Sequence, residues 1–232
     1  MKNINISRSI SHRGWQALLF TSLFITLFSC KKDYIEGGSI SNVDRFAGVS
    51  TYEALQQMPQ FDTLVQLIDA AGIQDAVNKA GTVFAPTNRS VRDYLEERTL
   101  FLQNTVDQSK FFLLDSLNYY LKNNISGTKD SLLMYLIPEQ LTPQNVTMEG
   151  TVYSTGLTND KVMVSFEETK DGNMGYTDLI SSVPRLLYYA QIWDGQGDPQ
   201  ENKILVKTAF IKTKSGSINA LDPGHVLFFY GR

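Results

Sequence analysis

The side chains able to do bond-making chemistry are few in this chain, and their spacing argues against most of what they could do. Cys30 is the sole cysteine, and His12 and His225 are the only histidines among 232 residues. A zinc finger, a cysteine–histidine catalytic pair or a multi-histidine metal site cannot be assembled from that inventory, so no metal and no cofactor is expected. The spacings of nucleotide-binding loops, zinc proteases and nucleophile elbows do not occur. Ser126 and Lys129 stand as S-x-x-K, and Lys214-Ser215-Gly216 as the K-[ST]-G of penicillin-binding enzymes. The middle element of that set has to lie between them, yet Ser217-Ile218-Asn219 follows both, which makes the match a coincidence of short patterns. Glu167 and Glu168 are a tempting hydrolytic pair, but neighbours on a strand point to opposite faces and cannot flank one bond. No catalytic residue is therefore assigned, and the chain is expected not to be an enzyme.

Binding chemistry is better represented. Tyr188, Tyr189 and Trp193 run into Asp194, and aromatic rings beside polar groups can stack on a sugar and bond its hydroxyls. The same alternation would equally pack a core with one tyrosine facing out, and packing weighs more. The stretch Asp194–Asn202 gathers acids and glycines that could hold calcium, but Pro199 and Leu205 occupy the positions where an EF-hand loop needs glycine and glutamate. It reads as a solvated loop. His225, after Pro223-Gly224, has no nucleophile motif beside it and reads as a surface or hydrogen-bonded core residue. Three N-x-[ST] sequons, at Asn88, Asn124 and Asn145, carry little weight.

Positioning those side chains requires a folded body, and composition supplies one. The chain is 42% hydrophobic and 19% charged with a net charge of −3, too apolar for disorder. Three of its basic residues, Lys2, Arg8 and Arg13, precede residue 30, so the remainder is more acidic still, which excludes nucleic acid as a partner. Residues 1–29 read as a signal peptide whose apolar stretch, Ala17 to Phe28, is too short to span a bilayer. Leu27-Phe28-Ser29-Cys30 resembles a lipoprotein junction of the Bacteroidetes type, in which Cys30 becomes the acylated (palmitate-class) N-terminus. The expected location is the outer membrane, lipid-anchored and on the cell surface, with the periplasmic face as the alternative. Residues 30–47 read as a flexible tether about 20 Å long, and residues 48–232 as one domain.

Within that domain, Ser50-Thr51-Tyr52-Glu53 has the form of a capping box. Phe61, Leu64, Val65 and Ile68 follow helical spacing up to Gly72. Thr82–Ala85 reads as a short buried strand stopped by Pro86, with a helix from about Asn88 through Leu95. Residues 108–123 read as a further helix with Phe111, Leu114, Leu117 and Leu121 on its core side. Later segments alternate: a strand through Val162, Val164 and Phe166, a hairpin turn at Lys170–Asn173, and strands near 176–182, 186–193, 203–212 and 225–230. Helices first and strands later give an α+β fold with a mostly antiparallel sheet.

Three segments carry a family resemblance. Gly81-Thr82-Val83-Phe84-Ala85-Pro86-Thr87-Asn88 is similar to the first signature box of fasciclin-like domains. Lys214 to Asp222, with Ile218 and Asp222, resembles the second box, and Met134-Tyr135-Leu136 the central tyrosine–histidine segment. Leu136 and Asn219 stand where the family often carries histidine. The likeness implies a wedge or sandwich of helices on a sheet, used outside the cell for adhesion or binding and sharing no catalytic apparatus. It implies structural roles for Phe84, Pro86, Thr87, Asn88, Tyr135, Ile218 and Asp222, and leaves contacts that depend on the absent histidines in question. Read this way, the chain is a non-catalytic surface lipoprotein whose partner is a glycan or another surface protein, an accessory to glycan binding or uptake. The alternatives are a small hydrolase built from distant carboxylates, and an assembly scaffold exposing a large apolar patch.

Overall fold

Short helices cover one seven-stranded sheet in a computed structural model that describes residues 44–179, 183–192 and 202–231. Residues 44–231 fall within one contact unit. The expected signal peptide, Cys30, most of the tether, Trp193 and Asp194 lie outside the described residues, as does all of the acidic loop except Asn202.

The chain opens with α1 (Thr51–Gln56), whose Ser50 and Glu53 form the expected capping box. α2 (Asp62–Ala71) follows, and Gly72, at φ +65°, supplies the left-handed residue that ends it. α3 (Gln74–Lys79) leads into β1 (Thr82–Ala85), every residue of which is buried. Thr87 then caps α4 (Asn88–Thr105), accepting from the Ser90 amide. After α5 (Leu114–Lys122) and α6 (Thr128–Ser131) come β2 (Leu136–Ile137), β3 (Thr151–Ser154), β4 (Lys161–Glu168), β5 (Arg185–Gln191), β6 (Lys203–Lys212) and β7 (Ser217–Leu221).

The strand order is β2-β1-β7-β6-β5-β4-β3, and only β1 and β7 run parallel. The expected α+β class with a mostly antiparallel sheet is thus found. The parallel pair joins the two boxes, Thr82 against Ser217 through Ala85 against Ala220. Its start explains two glycines. A methyl group on Gly216 would strike the Gly81 carbonyl, and one on Gly81 would strike the backbone of Glu139 and Gln140. The chains can approach this closely only without side chains.

Four expectations are corrected. Residues 108–113 are not helical. Asp107 Oδ1 accepts the Ser109 amide and the Lys110 amide bonds Asp107 O, a local turn that competes with helix. Phe111 is consequently exposed and Phe112 is the buried ring. Lys170–Asn173 is no tight hairpin, because Asp171 caps a single 3-10 turn, Gly172–Met174, inside a long β4–β5 connection. Residues 176–179 form turn and coil rather than strand. Residues 225–230 form a 3-10 turn, Leu227–Phe229, in which Phe228 and Phe229 take positive φ. The physical cause is tertiary: the Tyr135 hydroxyl accepts the Phe228 amide at 2.8 Å.

Candidate functional site

The central tyrosine is structural. Tyr135 ends a 3-10 turn, Leu132–Tyr135, with its ring buried, and its hydroxyl lies 2.8 Å from His225 Nε2. The same hydroxyl also accepts the Phe228 amide, so one phenol oxygen joins two segments that are far apart in sequence. The expectation of a hydrogen-bonded core histidine is met: His225 is fully buried and lies edge-on to Phe229. Tyr189 lies beside this pair, packs against Phe84 at 4.5 Å between ring centroids, and donates to Met134 O at 2.7 Å. Burial raises both the Tyr135 and Tyr189 hydroxyls well above the ordinary phenol value, so both stay protonated. Leu136 is also buried, and Asn219 accepts the Phe210 amide at 2.7 Å.

The box residues are likewise committed to the fold. Phe84 and Ile218 are fully buried. Asn88 accepts the Thr63 amide and donates to Pro59 O, tying α4 to the first turn of α2 and to the segment before it. Asp222 accepts the Gly224 amide and pairs with Lys207 at 3.1 Å.

The packing reading given more weight above is found: Tyr189 has no exposed ring surface, which takes it out of the candidate sugar site. Alternation along β5 turns Tyr188 the other way, half-buried, with the Lys203 ammonium 4.9 Å from its ring centre and Glu167 ion-paired to that lysine. Burial first, then Glu167, raises the Tyr188 hydroxyl. The structure does not bring the expected aromatic pair to one surface.

Two carboxylates, Glu53 and Asp107, ionise more readily than usual. Hydrogen bonds from Ser50 hold Glu53 below the usual range, and those from Ser109 do the same for Asp107. A general acid needs the opposite shift. Among the described residues, no group of three His, Cys, Asp or Glu side chains could hold a metal, and no helix is long and apolar enough to cross a membrane.

What sequence reading missed is an exposed apolar face where α4 ends and the chain returns to α5. Leu100, Phe101, Val106, Phe111 and Leu113 are all between 48% and 67% exposed. Thr99 ties the end of α4 to the returning chain, its hydroxyl accepting the Phe112 amide at 2.9 Å and donating to the Phe112 carbonyl. Arg98 lies beside them, its guanidinium within 5.3–5.6 Å of the Phe101, Phe112 and Tyr230 rings. Asp107 and Lys110 flank the face, and neither has an ion-pair partner among the described residues. The available signal was the Leu100-Phe101-Leu102 run in the polar second half of α4 and Phe111 near a turn-forming aspartate.

Helices packed on a mixed sheet, with two signature strands paired in parallel at its heart, define a domain of the fasciclin type. A model described as Fasciclin domain matches residues 59–183, more than half of the chain, and the chain belongs to that family. Domains of this family are generally adhesion or binding domains. Among solved structures, the chain is similar to a FAS1 domain pair from the insect cell adhesion molecule Fasciclin I. The TM-score is 0.44 and the identity 16%, over 75% of this chain and 49% of that one. This chain thus corresponds to about half of that structure. No curated protein matches the sequence.

Proposed function

We propose that the chain is a non-catalytic, lipid-anchored surface protein that makes weak homotypic contacts through the Phe101–Phe111 face. The observation that carries this reading is the face itself: five apolar side chains exposed at the end of α4 and along its hydrogen-bonded connection to α5. Its partner is a second copy of the chain because its flanking charges are self-complementary. Asp107 and Lys110 close one tight turn, so a two-fold approach sets each aspartate opposite the other copy's lysine. Five exposed apolar side chains are few beside the roughly 20–30 residues a side of a stable interface. Contacts of that strength suit a tethered array, where many weak bonds act together. An exposed apolar face was also the mark of the scaffold alternative, and a homotypic contact joins the two ideas.

Charge reversal tests the geometry. Beads coated with Asp107→Lys protein, or with Lys110→Asp protein, are expected not to self-aggregate, while a mixture of the two bead types aggregates. Unchanged self-aggregation of each variant, or no aggregation of the mixture, contradicts the two-fold contact. The anchor has its own test. Cys30→Ser protein is expected in the soluble fraction, and its retention with membranes would remove the acyl anchor from the account.

A further inference from the structure

A groove of about 280 Å³ lies between β6 and the connection from α1 to α2, at a distance in sequence from every residue of the apolar face. Phe46, Met58 and Ile211, all buried, form its floor, and Arg45, Gln57, Gln60 and Thr208 bring polar ends to it. Its volume is close to that of the smaller ligand sites, roughly 300 Å³.

The groove exists because β6 is irregular. Thr208 and Ile211 are three residues apart, and a regular strand would point them to opposite faces. Here Thr208 pairs with Ala220 and Ile211 with Ile218, so β6 carries one extra residue over that interval. Phe210 absorbs it at φ +56°, in the left-handed region that a bulky side chain rarely enters. Both Thr208 and Ile211 then line the same cavity. The irregularity is held from behind by Asn219, fully buried, whose Oδ1 accepts the Phe210 amide. The opposite wall is held by Asn88, which donates to Pro59 O at 2.8 Å. Thus one asparagine from each signature box fixes one side of the groove. Strained backbone maintained in this way is concentrated at ligand sites.

The chemistry of the lining selects a ligand class. Among the described residues, Arg45 is the only charged one in the groove, and no carboxylate pairs with it. Its neighbour Asp44 is engaged by Lys212 instead. A guanidinium presents a planar fork that fits a carboxylate. Two amides and a hydroxyl match sugar hydroxyls, while Met58 and Pro59 offer an apolar surface to a sugar's C–H face. We propose that this groove binds a sugar acid of hexuronate size, its carboxylate on Arg45 and its ring against Met58 and Pro59.

Titration of the lipid-free mature protein with glucuronate, glucose and an N-acetylated dipeptide, followed by chemical-shift changes, tests this. Saturable glucuronate binding is expected, with glucose at least tenfold weaker. Arg45→Ala should weaken glucuronate about tenfold, the loss expected for a charge-assisted hydrogen bond, and leave glucose unchanged. Asn219→Ala should weaken both acid and sugar. Because that variant risks unfolding, Thr208→Val, which keeps the shape, serves as the second probe and should weaken glucuronate severalfold. Absence of binding, equal binding of glucose, insensitivity to Arg45→Ala, or tighter binding of the dipeptide would each overturn the proposal. Bead aggregation is unaffected by any of these outcomes, so failure here is distinct from failure of the homotypic reading.

Discussion

The Tyr135 cluster and the Phe101 face are both aromatic, yet they use their rings in opposite ways. At Tyr135 the rings of Phe84, Tyr189 and Phe229 are buried, and the two phenol hydroxyls are spent on His225, the Phe228 amide and Met134 O. At Phe101 the rings face water, and Arg98 supplies their polar neighbour. Burying one such side chain would contribute about 1.5–3 kcal/mol, which this face forgoes. Stability is concentrated in the first region, and exposed apolar surface is left in the second. The positions that resemble a known family are the ones that build the fold, and the exposed face proposed for adhesion lies where no motif marks it.

Substitutions should separate the two regions. Phe84→Ala, which empties a fully buried ring site, should cost about 3–5 kcal/mol in denaturant unfolding. A loss near zero would mean that the aromatic cluster does not hold the sheet. Tyr135→Phe keeps the ring but orphans the Phe228 amide, so unfolding free energy should fall by about 1–3 kcal/mol, with faster hydrogen exchange at Phe228. Ser50→Ala, remote from both regions, removes the α1 cap and should cost about 1 kcal/mol. The cap also depends on pH. Glu53 is held below its ordinary ionisation range in the folded protein, first by the Ser50 amide, so its contribution is present above the unfolded value and is lost as pH falls through the folded one. Ser50→Ala keeps that amide, so the gap that should narrow in acid is the one between wild type and Glu53→Gln, as followed by urea unfolding across the carboxylate range. The smallest effect on stability, within about 0.5 kcal/mol, is expected for Phe101→Ser with Phe111→Ser, because both rings are already exposed.

Much of the fold was legible in local pattern. The Ser50 cap, the Leu64–Ile68 stripe, the Pro86 stop and the alternating strand through Val164 are each set by neighbours in sequence, and each stands where the pattern put it. The failures share one cause. Residues 225–230 look like a strand until the Tyr135 hydroxyl, 93 residues away, takes the Phe228 amide. The helix expected from residue 108 yields to the Asp107 turn and to the clasp of Phe112 by Thr99. The site was less legible still. Tyr188 and Tyr189 are adjacent letters on opposite faces of β5, and the groove depends on an extra residue in β6 that hydrophobic pattern does not register. Exposure, unlike periodicity, is a property of the whole molecule.

Aggregation of beads coated with the mature protein, run beside an unfolding curve on the same preparation, puts the division of labour to its most direct test. Serine at both 101 and 111 should abolish aggregation and leave the unfolding midpoint where it is in the wild type. Aggregation that persists at wild-type strength in this doubly substituted protein would contradict the account.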